Sequence, residues 1–95
     1  MPLTLLKFEW LVNKKTKGQP PHLILLTRGD FDLLWERTAP VTWHTDHLGR
    51  RRIVLSQGLV EPRPDDQGHG AEFLLDAGVL NLTDVDWDAD TLTAI

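Results

Sequence analysis

The chain has 95 residues, 41% hydrophobic and 25% charged, with ten Lys or Arg, fourteen Asp or Glu, no Cys and a net charge of −4. A chain of this size buries roughly 60–65% of its unfolded surface, enough for one modest core and hence one domain, residues 1–95. Disulfide frameworks, Cys-ligated zinc and cysteine nucleophiles are excluded, and the longest aliphatic run, Leu23 to Leu26, is far short of the roughly 20 residues that span a bilayer.

Near the N-terminus, Leu6, Phe8, Trp10 and Val12 alternate with Lys7, Glu9 and Leu11, which predicts a strand over Leu3 to Val12. A helix would carry Lys7 and Glu9 into its apolar face. The same two charges, with no small-residue cleavage site after them, argue against a signal peptide, so a soluble cytoplasmic protein is expected. Asn13 to Pro21 reads as a loop, marked by Gly18, Pro20 and Pro21. His22 to Thr27 reads as a central strand, because its apolar run is continuous. Asp30 to Thr38 fits two patterns. Phe31, Leu33, Trp35 and Arg37 alternate as in a strand, the preferred reading. Asp30 as cap, with Phe31, Leu34 and Trp35 inward, describes a short helix stopped by Pro40.

Val41 to His47 and Arg51 to Gln57 form a hairpin around Leu48, Gly49 and Arg50. Pro62 to Gly70 is a loop. Glu72 to Ala77 fits a strand or one helical turn ended by Gly78, and Val79 to Leu82 and Thr91 to Ile95 are further short β candidates. The expected fold is mainly β: a small antiparallel sandwich or barrel of five to seven short strands. An α+β fold with one short helix near 30–38 is the alternative.

Charge is unevenly divided. Residues 1–69 hold ten bases and eight acids, whereas residues 70–95 hold six acids and no base. In an extended chain Asp84, Asp86, Asp88 and Asp90 point to one face at about 6.6–6.8 Å spacing, close to the phosphate repeat of one nucleic-acid strand. Trp87 sits among them, and Trp is enriched at interface hot spots. These residues make the first candidate site. They predict a non-catalytic regulatory or inhibitor module that binds a protein with a basic surface, or its own copy as a homodimer. The basic hairpin and acidic end are complementary in sign, which favours self-association. The second candidate is basic: Lys14, Lys15 and Lys17 in the first loop, with Arg50, Arg51 and Arg52 at the hairpin. Sharing one end of a sheet, they would contact nucleic-acid phosphates, with Trp35 or Trp43 stacking on a base.

Other chemistry finds little in the chain. His44, Asp46 and His47 hold metal-ligating atoms, but His47 points away from the other two on a strand. A calcium loop fails for want of Gly at its sixth position and Glu at its twelfth. Ser56, the only serine, lies in a predicted strand and not at a nucleophile turn. No enzyme activity, metal, cofactor or membrane contact is therefore expected.

Overall fold

A computed structural model of the chain describes residues 4–64, 68–85 and 87. The first element is a helix, α1 (Leu5–Lys15). Thr4 caps it, its hydroxyl oxygen accepting from the Lys7 N–H at 3.2 Å. Phe8, Leu11 and Val12 follow the i, i+3, i+4 spacing of a buried helical face. The strand expected over Leu3 to Val12 is thus corrected to a helix. Lys7 does fall on the inner side, 4% exposed. A lysine stem lines apolar surface well, so a charge at this position does not exclude a helix. The helix ends at Lys17 (φ 56°) and Gly18 (φ 85°), where the Gly18 N–H returns to the Asn13 carbonyl at 2.9 Å.

Strand β1 (Leu23–Leu26) leads directly into α2 (Arg28–Arg37). Thr27 separates them and caps α2, accepting from the Asp30 N–H at 3.3 Å. Phe31 and Leu34 are the buried apolar residues of α2. The alternative reading of this segment, a helix, is the one the fold adopts. A 3₁₀ turn (Pro40–Thr42) precedes β2 (Trp43–Thr45). Then come β3 (Arg51–Val54), β4 (Leu59–Pro62), β5 (Ala71–Leu75) and β6 (Gly78–Leu82).

The six strands form one mixed sheet in the order β2-β3-β4-β1-β5-β6. Only β1 and β4 pair in parallel. The β-rich expectation of five to seven short strands is met by six among the described residues. Among the described residues the second layer comes from the helices, β2 and β6 are the outermost strands, and no closure into a sandwich or barrel is seen.

One face of the sheet carries the core. Ile53, Val60, Ile24 and Phe73 stand in register across four strands and are fully buried. Phe8, Leu11, Val12, Phe31 and Leu34 from the helices join them in one cluster. Each such side chain contributes roughly 1.5–3 kcal/mol by leaving water. Opposite the core, no described helix covers the sheet. The β3–β4 turn is closed by Gly58, where a Cβ would lie 2.3 Å from the Pro21 carbonyl oxygen. No helix among the described residues is long and apolar enough to cross a membrane.

Candidate functional site: an arginine-lined hollow

The β2–β3 hairpin is held by one carboxylate. Asp46 Oδ1 accepts from the N–H groups of Leu48 (2.9 Å) and Arg50 (3.0 Å), and Oδ2 from Arg50 Nε (2.8 Å). Gly49 supplies the positive φ that the turn needs, 79°. The Arg50 N–H is the main cause that holds the Asp46 carboxyl below its ordinary 3.8, with the Leu48 N–H and the Arg50 guanidinium adding to it.

Strand alternation then sends the next two arginines to opposite faces. Arg51 shares the face of Ile53 and turns toward α2. Its guanidinium lies 5.0 Å from the Trp35 ring centre and 5.3 Å from that of Phe31, and it pairs with Asp32. Trp35 in turn stacks on Trp43, 4.6 Å between centres and 10° between planes. Arg52 faces the open side. Its Nε lies 3.7 Å from Glu61, and it is enclosed without a hydrogen bond.

Two further arginines come from elsewhere. The parallel register sets Leu26, the last residue of β1, beside Pro62, the last of β4. The chain beyond each therefore emerges at the same end of the sheet, with Arg28 in the first turn of α2 and Arg63 just after β4. The Arg63 N–H donates to the Leu26 carbonyl at 2.6 Å, which ties the two exits together. The result is a hollow of about 470 Å³ lined by Arg28, Arg50, Arg51, Arg52, Arg63 and Glu61, with Gly49, Pro62 and Pro64. At its rim Asp46 pairs with Arg50, Asp32 with Arg51 and Glu61 with Arg52.

The lysines do not join this site. Lys14 and Lys15 end α1 and Lys17 follows it. That turn lies against Leu55 to Gly58, sharing a small hollow with them through Asn13, Thr16 and Gly18. Leu55 to Gly58 is the β3–β4 connection, whereas Arg50 is at the opposite end of β3. The condition for one basic patch, that both loops share an end of the sheet, is not met, and the hairpin lies with Arg28 and Arg63 instead. No sequence signal links those two arginines to the hairpin, because their proximity depends on the parallel β1–β4 contact.

The acidic candidate is divided. Asp84 is exposed, and Asp86, Asp88 and Asp90 lie outside the described residues. Trp87, expected at a partner surface, is turned inward and 3% exposed. Its ring centre lies 5.1 Å from that of Phe8, and its Nε1–H donates to Asp30 Oδ2 at 3.1 Å. The same carboxylate holds His69, whose Nδ1 lies 2.9 and 3.1 Å from its two oxygens. Asp30, 4% exposed in the first turn of α2, fastens the His69 loop and the C-terminal segment to one helix end. This knot is the feature that sequence reading missed. Its one visible sign, an acid at the start of a helix, was read as a cap, whereas Thr27 is the cap.

Asp46 has both oxygens engaged in the hairpin turn, away from any shared site with His47. Among the described residues no group of three or more His, Asp or Glu side chains is placed to hold a metal ion. Asp46 precedes β3 and Ser56 follows it, so the two lie at opposite ends of that strand. Comparison with known protein families, with curated proteins and with solved structures found no match to this chain.

Proposed function

We propose that this chain is a non-catalytic binding module that holds the phosphate backbone of a nucleic acid in its arginine-lined hollow. The supporting observation is the hollow at one end of the sheet, lined by Arg28, Arg50, Arg51, Arg52 and Arg63 from three separate stretches of chain, with the Arg51 guanidinium turned to the helix side. Guanidinium groups stay charged at all relevant pH and match phosphate oxygens bidentately, so they bind phosphate without moving protons. The Trp35–Trp43 stack, half-buried and reached through Arg51, adds an aromatic platform of the kind that unpaired bases use. A protein partner recognised by the acidic C-terminal segment is favoured less. Of its five residues, Asp84 is the exposed one among those described, and the aromatic anchor is buried.

The test is binding of a labelled single-stranded oligonucleotide at several salt concentrations. Phosphate binding in the hollow predicts that log K falls linearly with log[salt], by about −0.7 to −0.9 for each phosphate contacted. Reversing Arg28 and Arg63 to Glu is expected to weaken binding about tenfold or more and flatten the slope. Reversing Lys14, Lys15 and Lys17 is expected to change it less than about twofold, since they lie at the other end of the sheet. No measurable binding at low salt, or equal losses in the two variants, overturns the reading.

A further inference from the structure

The face of the sheet turned away from the helices carries an ordered pattern. Register places Val54, Leu59, Leu23, Leu74 and Val79 in one row across five strands. Val54 is 44% exposed and Val79 59%, and the three leucines between them are half-buried by one another. The next row along the strands pairs Leu25 with Glu61 on one side and Glu72 on the other, and Glu72 with Asn81. Arg52 extends this second row on β3 beside Glu61, and His44 extends it on β2. An apolar row of this length, on a sheet face that no described helix covers, marks an interaction surface.

The sheet is also nearly symmetric about its own centre. Strand directions across β2-β3-β4-β1-β5-β6 read up, down, up, up, down, up, which is the same in either direction. A two-fold axis parallel to the strands, between β4 and β1, therefore stacks a second copy with every strand over one of like direction. It sets Val54 over the partner's Leu74 and Leu59 over the partner's Leu23. In the second row it sets Arg52 over the partner's Glu72 and Glu61 over the partner's Leu25, and each contact occurs twice. In the first row apolar residues meet apolar residues, and in the second each Arg52 gains a carboxylate beside its own Glu61 at 3.7 Å and Asp46 at 3.9 Å. Had the two rows been out of phase, Arg52 would have faced a leucine.

We infer that two copies of this chain pair back to back through these open sheet faces, forming a closed isologous dimer. Sheets packed face to face sit about 10 Å apart with strands inclined by about 30°, close enough for the leucines of both rows to interdigitate. The second copy is the occupant because the surface matches itself in strand direction, in its apolar row and in the pairing of Arg52 with Glu72. The contact is small beside the roughly 800 Å² per partner of a standard interface, so a dissociation constant in the micromolar range is expected. The inference does not rest on the nucleic-acid reading. The two hollows would lie at the same end of the dimer, because the axis runs along the strands.

Sedimentation equilibrium from about 5 to 500 μM, with no nucleic acid present, tests it across the micromolar range expected. The weight-average mass is expected to climb from 10.8 kDa toward twice that value. Val54→Lys sits on an exposed position that the fold does not need, and it is expected to raise the dissociation constant at least tenfold. Glu72→Arg is expected to do the same by facing Arg52 of the partner, and adding Arg52→Glu to it is expected to restore dimerisation. A monomer throughout the range overturns the proposal. So does a dimer that Val54→Lys leaves intact, which would place the contact on another surface, and so does failure of the double charge swap to recover what Glu72→Arg loses.

Discussion

Removing the Asp30 carboxylate should cost more than its position at a helix start implies. An acid in the first turn of an exposed helix contributes only about 0.3–1 kcal/mol through the helix dipole. Asp30 is 4% exposed and accepts from Trp87 Nε1 at 3.1 Å and from His69 Nδ1 at 2.9 Å. Each hydrogen bond to a charged group contributes about 1.5–3 kcal/mol, and the orphaned indole N–H adds to the loss when its acceptor goes. Asp30→Ala is therefore expected to destabilise the fold by about 3 kcal/mol, a large share of the roughly 5–15 kcal/mol available to a domain. For a domain of this size that corresponds to roughly 12–24 °C in melting midpoint. Trp87→Phe keeps the ring against Phe8 and removes only the donor, so a loss of about 1–2 kcal/mol is expected. The two changes should not add. Urea unfolding followed by far-UV circular dichroism on both single variants and the double gives the coupling, expected to exceed about 1 kcal/mol. Additivity within about 0.5 kcal/mol would show that the Asp30–Trp87 contact does not contribute as argued.

Two other perturbations follow from the turns. Gly58→Ala puts a Cβ 2.3 Å from the Pro21 carbonyl oxygen, so backbone must move on one side of the turn. Overpacking of this kind costs about 1–3 kcal/mol, and a melting midpoint unchanged from that of the parent chain would contradict the close approach. Asp46 has its carboxyl held below 3.8, chiefly by the Arg50 N–H. A carboxyl lowered in the folded state stabilises the fold above its unfolded value and ceases to do so as pH falls through the lowered one. Amide shifts of Leu48 and Arg50, followed by NMR on acidification, should therefore move together with a midpoint below 3.8, and this step should vanish in Asp46→Asn. A midpoint at or above 3.8 would contradict the assigned hydrogen bonds.

Several elements were legible from local pattern. The hairpin from Trp43 to Val54 announces itself through alternation around a Gly-containing turn, and Asp46 closes it with contacts only two and four residues away. The apolar run of β1 marks a central strand, and β1 does lie between β4 and β5. In each case the interactions that decide the conformation are close in sequence. Where they are distant, pattern misleads. Leu3 to Val12 fits period two as well as a helical face, and what separates the two is the Thr4 cap together with the burial of Phe8, Leu11 and Val12 on the sheet. Leu59 to Pro62 was not seen as a strand, because four residues ending in proline carry little propensity until β1 and β3 flank them.

The candidate site divides in the same way. Arg50, Arg51 and Arg52 could be selected by eye, and their separation from Lys14, Lys15 and Lys17 could not. Arg28 and Arg63 enter the hollow because β1 and β4 pair in parallel, with Leu26 opposite Pro62, a contact between residues 36 positions apart. Trp87 was read outward from its acidic neighbours and lies inward because a carboxylate 57 residues earlier accepts its N–H. Composition and short-range spacing thus determined the hairpin and the presence of opposite charges. Tertiary structure decided which charges meet and which tryptophan is buried. Pairing across long loops is selected by burial and hydrogen bonding summed over the whole sheet, and no single segment carries that sum.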